Sequence, residues 1–171
     1  MTNTVPRLAA GTWRVDPSRT TCTFRVRKLG LIRVHGSFAV VQGQAETDQS
    51  GLPAAGTAVL DVASIRTGIK KRDLDLRGVK FFDAENFPRL SYRADRMVST
   101  DAGWRVEGFL RVKSTDAPLS LDVVAEPEGD GWRVRATGIL DRQNTPIRVP
   151  RAIVGRWINI TVEAFLAPPH A

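Results

Sequence analysis

The stretch TTCTFRVR, residues 20–27, decides the fold class. Its even-numbered positions Cys22, Phe24 and Val26 are apolar, and the residues between them are polar. Alternation with a period of two is typical of a β-strand that buries one face. A short strand over residues 13–15 precedes it, and the same alternation recurs in seven later segments, 34–40, 58–62, 90–94, 104–112, 119–125, 132–140 and 158–166. We therefore predict an all-β chain of eight or nine antiparallel strands.

One segment departs from this pattern and predicts a short helix over residues 69–77. Ile69, Arg72 and Leu76 fall on one helical face, and Gly78 follows as a stop signal. Elsewhere the strands are separated by turn-forming residues. These breaks comprise three hairpin turns at 47–51, 100–103 and 128–131 and a proline-containing loop at 144–156.

Eight strands with one apolar face each can close into a barrel or stack as two sheets. Small residues interrupt the apolar faces, at Gly36, Ala58, Ala94, Gly108, Ala136, Gly138 and Ala164. Inside a barrel they could leave room for one ligand. Alternatively, large residues on opposing strands fill that room, with Phe24, Phe38, Trp104 and Trp132 as the candidates. Composition alone leaves both interpretations open.

The few reactive residues exclude several kinds of site. The chain has 171 residues, 25% of them charged, which suits one domain with its own core. One cysteine, Cys22, and two histidines, His35 and His170, are too few for a structural zinc site. Cys22 falls on an inward face, where a thiol stays protonated, whereas His35 falls on an outward face. The sequence offers no nucleophile paired with a base, so we do not expect an enzyme.

The excess of basic residues bears on nucleic-acid binding. Lys and Arg number 25 against 18 Asp and Glu, which gives a formal net charge of +7. Such an excess can indicate a nucleic acid or an anionic membrane surface. The arginines are dispersed over outward strand positions, and the tryptophans fall with the apolar positions rather than beside them. We therefore expect no nucleic-acid partner.

Targeting signals are missing from the sequence as it stands. No apolar run reaches the roughly 18 residues of a transmembrane helix, and residues 1–10 lack the apolar stretch of a signal peptide. We therefore expect a soluble, cytoplasmic protein. Homodimerisation and transient contact with a membrane stay open.

Several short motifs together resemble the YceI-like family, the lipocalin-like polyisoprenoid-binding proteins. In chain order the motifs are GTWRVDP (11–17), FRVRKLG (24–30), VHGSF (34–38), SIRTG (64–68), RDLDLR (72–77), FFD (81–83) and FP (87–88). Weaker similarities follow in VEGFLRV (106–112) and DR (141–142). The resemblance covers residues 11–166, so we expect one domain over residues 1–171 with this core.

The resemblance implies a single antiparallel eight-stranded lipocalin-like β-barrel. It also implies that the lumen holds a long apolar lipid, of polyisoprenoid, isoprenoid-quinone or fatty-acyl type, without chemistry, metal or cofactor. Many relatives are exported. The candidate walls of the lumen are Phe24, Phe38, Leu60, Tyr92, Leu110, Val134, Ile160 and Val162. Each of these residues also has the simpler interpretation of ordinary core.

Two arginines are candidates for the polar head of such a lipid. Arg72 lies on the predicted helix, and Arg142 follows a strand end. Guanidinium groups at the barrel mouth could bind a phosphate or quinone head. Alternatively, Arg72 and Asp73 fasten the helix across the barrel end, and Arg142 pairs with Asp141 or a loop carbonyl. We favour this second, structural interpretation.

The chain departs from the family pattern at three places where relatives usually carry histidine. Arg19, Lys28 and Asp75 stand there instead. Arginine and lysine stay protonated at neutral pH, so a histidine-dependent pH response is not expected. Two alternatives to lipid carriage stay in competition: an enzyme acting on a lipid or stress metabolite, and a basic barrel that binds nucleic acid.

Overall fold

A computed structural model describes residues 8–169 and confirms an all-β architecture with one short α-helix. The helix α1 spans Lys70–Leu76, inside the predicted range. In the described residues the strands are β1 Gly11–Val15, β2 Thr21–Lys28, β3 Ile32–Thr47, β4 Pro53–Arg66, β5 Arg89–Ser99, β6 Trp104–Val112, β7 Thr115–Glu128, β8 Gly131–Asp141 and β9 Trp157–Ala167. His170 lies outside the described residues.

The strands close into an antiparallel barrel. Around the ring the order is β3, β2, β9, β8, β7, β6, β5 and β4, and β4 pairs back onto β3 with Val40 opposite Leu60. This is the predicted eight-stranded ring. Closure leaves no free strand edge around the ring, so neighbouring strands satisfy the backbone hydrogen bonds of the wall.

One position in the ring is shared by two strands. β1 pairs with the far part of β3, with Gly11 opposite Thr47, and β2 pairs with its near part, with Cys22 opposite Phe38. Both strands also pair with β9. A short 3₁₀ turn separates them, and its N-cap Asp16 accepts a hydrogen bond from a backbone N–H at 3.0 Å. The sequence pattern predicted both strands but not that they continue one another.

The two ends of the barrel are built differently. The turn end consists of residues 8–11, 47–53, 99–104, 126–131 and 166–169, which include three tight hairpin turns. The helix end consists of residues 28–33, 66–89, 113–114 and 141–156, which include α1 and the long loop before β9. At the helix end, Lys113 has a φ of 54°, in the left-handed region that glycine adopts with less strain.

A compact apolar cluster closes the turn end. Leu8, Trp13 and Leu166 are each at most 7% exposed there, and Trp132 and Val134 pack against them. The indole N–H of Trp13 donates to the carbonyl of Ala9 at 2.9 Å, so the buried donor is satisfied. We call Leu8, Trp13 and Leu166 the plug.

The helix end is covered by α1 and the segment after it, through hydrogen bonds and through apolar packing against the core. Asp73 of α1 is buried, and its carboxylate accepts hydrogen bonds from the backbone N–H and the hydroxyl of Thr67. The ring of Phe82, which follows the helix, meets that of Phe38 edge-on at 5.5 Å between centroids. These contacts hold α1 and the segment after it over the lumen.

Candidate functional site

A cavity of about 540 Å³ runs inside the barrel from the helix end to the turn end. Its lining is mainly apolar, because each strand turns its apolar positions inward. The eight wall positions expected from the sequence all line it, namely Phe24, Phe38, Leu60, Tyr92, Leu110, Val134, Ile160 and Val162. The two candidate head-group residues, Arg72 and Arg142, line it as well.

The small inward residues divide into two groups. A Cβ added at Gly36 would lie 2.1 Å from the ring of Phe24, and one at Gly108 would lie 2.6 Å from the hydroxyl of Tyr92. Leu121 is similarly close to Gly138. The glycines therefore accommodate large neighbours and leave no room for a ligand there. The alanines do border the cavity, at Ala58, Ala94, Ala136 and Ala164.

The polar side chains of the cavity wall are poorly suited to catalysis. Burial raises the pKa of the Cys22 thiol to about 11, so the thiol is protonated at neutral pH. The hydroxyl of Tyr92 donates to the carbonyl of Leu119 at 2.9 Å, and burial raises its pKa to about 12. The indole Nε1 of Trp104, at the turn end, is buried and donates to no acceptor among the described residues.

Arg72 lies at the helix end of the cavity and is half-buried. Its Nε donates to the hydroxyl of Thr67 and one terminal nitrogen donates to the Thr67 carbonyl, both at 2.7 Å. Together with Asp73, this arginine ties α1 to the end of β4. Two of its three guanidinium nitrogens are used in this way.

Arg142 is 5% exposed and holds the loop before β9. Its three nitrogens donate to the carbonyls of Gly155 at 3.1 Å, Ile147 at 3.2 Å and Val154 at 2.8 Å. Asp141 pairs with Arg156 at 2.8 Å rather than with Arg142. These contacts match the structural interpretation of Arg142, with loop carbonyls as its partners.

The three residues that stand in place of the usual histidines lie in different surroundings. The guanidinium of Arg19 sits 3.2 Å from the ring centre of Phe165 and 3.8 Å from Glu128. Lys28 and Asp75 border the cavity at the helix end. Two of the three residues, Lys28 and Asp75, therefore lie at the mouth of the lumen.

The outer wall carries paired charges, and His35 is exposed on it as expected. Examples are the ion pairs Arg105–Asp122 at 3.1 Å and Arg111–Asp116 at 3.3 Å. The expectation that the tryptophans avoid arginines is wrong at one position. Trp157 is 54% exposed, and the guanidinium of Arg156 lies 4.6 Å from its ring centre, because its place in β9 is an outward one.

A second cavity, which the sequence did not predict, lies in the loop at the helix end. It has a volume of about 270 Å³ and is lined by Arg142, Gln143, Arg148, Val149, Pro150 and Arg151. Burial and the neighbouring guanidinium groups of Arg148 and Arg151 lower the pKa of Arg142. The three arginines lie within ten residues of one another in sequence, and the folded loop arranges them around one cavity.

Two features absent from residues 8–169 bear on chemistry and on membranes. In this part of the chain no group of three or more His, Cys, Asp or Glu side chains is arranged to hold a metal ion. None of its helices has the length and apolar character needed to cross a membrane.

Solved structures with the same fold come from several bacteria. Burkholderia cenocepacia BcnA superposes with a TM-score of 0.76 at 18% identity, over 88% of this chain and 98% of the other. A polyisoprenoid binding domain from Saccharophagus degradans superposes with a TM-score of 0.67 at 13% identity, over 92% and 98% of the two chains. At these identities the similarity establishes the fold.

Sequence comparison identifies relatives in two further bacteria. A UPF0312 protein of Photorhabdus laumondii is 26% identical over 112 residues, and one of Serratia proteamaculans is 25% identical over 111. The matched part is 64% of this chain and 58% of each relative, so the chain spans less than two-thirds of their length. The family model of the YceI-like domain matches residues 13–165, which include every strand from β2 to β8 and most of β1 and β9. The chain therefore belongs to the YceI-like family.

Proposed function

We propose that the protein binds one long apolar lipid in the barrel lumen and carries or sequesters it without changing it chemically. The observation that carries the proposal is the continuous apolar cavity of about 540 Å³. That volume falls within the ~300–1,000 Å³ typical of small-molecule sites. The ligand classes proposed are polyisoprenoids, isoprenoid quinones and fatty-acyl lipids.

Burial of the lipid's hydrocarbon chain supplies the binding affinity. Each buried CH₂ contributes about 0.8 kcal/mol, so a dozen buried carbons would give on the order of 10 kcal/mol before ordering costs. The eight predicted wall residues would provide these contacts. The raised pKa of Cys22 and the hydrogen-bonded hydroxyl of Tyr92 favour binding over catalysis, since neither group is free to react.

The lining favours one orientation of the ligand. Thr67, Arg72 and Asp75 border the cavity at the helix end, whereas Trp104 and Trp132 border it at the turn end. A polar head is better solvated among charged groups, and an apolar tail is better buried against the indole rings. We therefore place the head at the helix end, near Arg72. Arg142, whose nitrogens serve the loop, would act chiefly by positioning that end.

The similarity to the Saccharophagus degradans polyisoprenoid binding domain supports a lipid ligand but does not select among classes. The direct test is mass spectrometry of an organic extract from freshly purified protein, with native mass spectrometry of the intact chain. A single lipid at one copy per chain is expected. A protein mass that stays unchanged after incubation with polyprenyl, quinone and fatty-acyl lipids would contradict the proposal.

Matched variants locate the site. Ala94→Phe places a ring in the cavity, whereas Ala39→Phe places the same ring on the exposed outer face of β3. The lumen variant should lose at least tenfold in lipid occupancy, and the outer variant should keep it. Near-ultraviolet circular dichroism of both variants checks that each is folded. Equal occupancy in the two folded variants would place the lipid outside the lumen.

A further inference from the structure

The helix end exposes aliphatic side chains at the tips of its loops. Leu31 is 91% exposed, Leu29 is 56% exposed and Ile153 is 44% exposed. They form one surface, because the backbone N–H of Leu29 donates to the carbonyl of Ile153 at 3.0 Å. Isolated exposed leucines are ordinary, but a group of them on the protruding loops of one end marks a contact surface.

Leu29 is also an unfavourable residue for its backbone. Its φ is 53°, in the left-handed region that glycine and asparagine adopt with less strain. The following residue, Gly30, has a φ of 72° and does not suffer this cost. A leucine at such a position contributes nothing to the turn, so its apolar side chain is the property that needs an explanation.

The same end is strongly basic. Residues 28–33, 66–89, 113–114 and 141–156 contain fourteen Lys and Arg against five Asp and Glu. The opposite end, residues 8–11, 47–53, 99–104, 126–131 and 166–169, contains five acidic residues and no basic one. The barrel is therefore polarised along its axis, and an anionic surface would attract the helix end and repel the turn end.

Two arginines at this end lack acidic partners. Among the described residues neither Arg148 nor Arg151 forms an ion pair, whereas several arginines on the outer wall do. With Arg142 they line the second cavity, of about 270 Å³, and no carboxylate contributes to its lining. Asp141, the acidic residue next to Arg142, is held by Arg156. The cavity can therefore accept a phosphate group between guanidinium groups.

We infer that the helix end docks on an anionic phospholipid bilayer. Leu29, Leu31 and Ile153 enter the acyl boundary, and the cavity of Arg142, Arg148 and Arg151 receives a lipid phosphate. The exposed Trp157, with Arg156 at 4.6 Å, lies at the same end and has the amphipathic character suited to the head-group level. Aliphatic loop tips fit a bilayer better than they fit a nucleic acid, which would require stacking partners for its bases.

The inference goes beyond lipid binding in the lumen and can fail separately from it. Docking rests mainly on Leu29, Leu31, Arg148 and Arg151, none of which lines the lumen, so the lumen-filling variant Ala94→Phe should bind vesicles like the unaltered protein. Loss of lumen lipid with retained vesicle binding would leave docking intact. A protein that keeps its lumen lipid but does not bind vesicles would overturn docking and leave the lumen proposal intact.

The test is co-sedimentation with vesicles of equal parts phosphatidylglycerol and phosphatidylcholine, compared with vesicles of phosphatidylcholine alone. Binding is expected for the anionic vesicles at low salt and should weaken as salt screens the charges. The double variant Arg148→Gln, Arg151→Gln should bind them on the order of tenfold or more weakly. The control Arg96→Gln, Arg135→Gln removes the same charge from the exposed outer wall and should bind normally.

A second pair of matched variants tests the apolar contribution to vesicle binding. Leu29→Asn with Leu31→Asn should weaken binding severalfold, whereas Val98→Thr with Val124→Thr, at exposed wall positions, should not. Thermal unfolding of each variant checks the fold. Equal loss in the Arg148→Gln, Arg151→Gln variant and its Arg96→Gln, Arg135→Gln control would reduce the effect to net charge and overturn the inference. Retention of duplex DNA that depends on the arginine pair but not on the leucine pair would also overturn it, in favour of a nucleic acid.

Discussion

The two ends of this barrel reach closure by opposite means. At the turn end the plug of Leu8, Trp13 and Leu166 packs as an apolar core, and the surrounding turns are acidic. At the helix end Arg142 and Asp73 bind loop and strand backbone, and the surrounding loops are basic. The apolar plug keeps water away from the lumen, whereas the loops of the helix end also carry polar groups that can meet water, a head group or a membrane.

The difference assigns separate tasks to the two ends. The plug stabilises the fold and would form the blind end for a lipid tail. At the helix end the exposed leucines, together with Arg148 and Arg151, which form no ion pair among the described residues, are free for contacts outside the chain. Four changes would break or sharpen this contrast, and they follow in order of decreasing effect.

The largest effect is expected from Trp13→Ala in the plug. Trp13 is 3% exposed, and removing such a side chain typically costs about 3–5 kcal/mol of unfolding free energy. The same substitution at Trp157, which is 54% exposed at the helix end, should cost less than about 1 kcal/mol. Urea denaturation measures both. Similar costs at the two sites would remove the proposed contrast between the ends.

Arg142→Gln should be the next most damaging change. It leaves the carbonyls of Ile147, Val154 and Gly155 without their guanidinium donors, and we expect a loss of about 2–3 kcal/mol. The matched change Arg148→Gln, on the same loop but with an exposed side chain, should stay within about 0.5 kcal/mol. A stability unchanged by Arg142→Gln would show that this arginine does not hold the loop.

The pH dependence of stability tests whether the lumen between the two ends is dry. The Cys22 thiol has a pKa of about 11 when folded and 9.0 as the ordinary value. The unfolded chain therefore releases this proton first as the pH rises, and stability present below pH 9 is lost between pH 9 and pH 11. The loss should be about 2–3 kcal/mol larger in the unaltered protein than in Cys22→Ala.

The comparison with Cys22→Ala is needed because Tyr92 also titrates with a raised pKa, of about 12, and its contribution is common to both proteins. Denaturation curves at pH 8 to 11 supply the measurement. If both proteins lose stability equally, water reaches the thiol from the helix end, and the lumen is not sealed at its middle.

The smallest effect is expected at the strained turn of the helix end. Leu29→Asn should raise stability by about 0.5–1 kcal/mol, because asparagine tolerates the left-handed backbone better. Leu31→Asn, in the same turn but without a positive φ, should leave stability unchanged. Thermal unfolding measures both. A loss of stability in Leu29→Asn would mean that the leucine side chain supports the turn itself.

The wall of the barrel was predictable, because alternation with period two is a local property of the sequence. It placed Phe24, Leu110 and Ile160 on the inner face without any knowledge of pairing. The helix was predictable for a similar reason, since Gly78 and the spacing of Ile69 and Leu76 are local signals.

The two ends were not predictable to the same degree, because they depend on contacts between distant segments. The plug joins Leu8 to Leu166, and the turn of Leu29 meets the loop of Ile153. The glycines also depend on contacts between distant segments, which the sequence alone does not reveal. Their small size suggested an open lumen, but only the folded barrel reveals that the ring of Phe24 fills the space above Gly36.

The measurement that tests the central claim most directly uses fatty acids brominated at different carbons, since bromine quenches nearby tryptophan fluorescence. The protein should carry Trp157→Phe to remove the exposed indole of the helix end. Trp104 and Trp132 border the lumen at the turn end, so quenching should be strongest for bromine near the methyl end of the chain. Quenching that is strongest near the carboxyl end, or absent for every position, would contradict a lumen that buries the tail at the plugged end and leaves the head at the basic one.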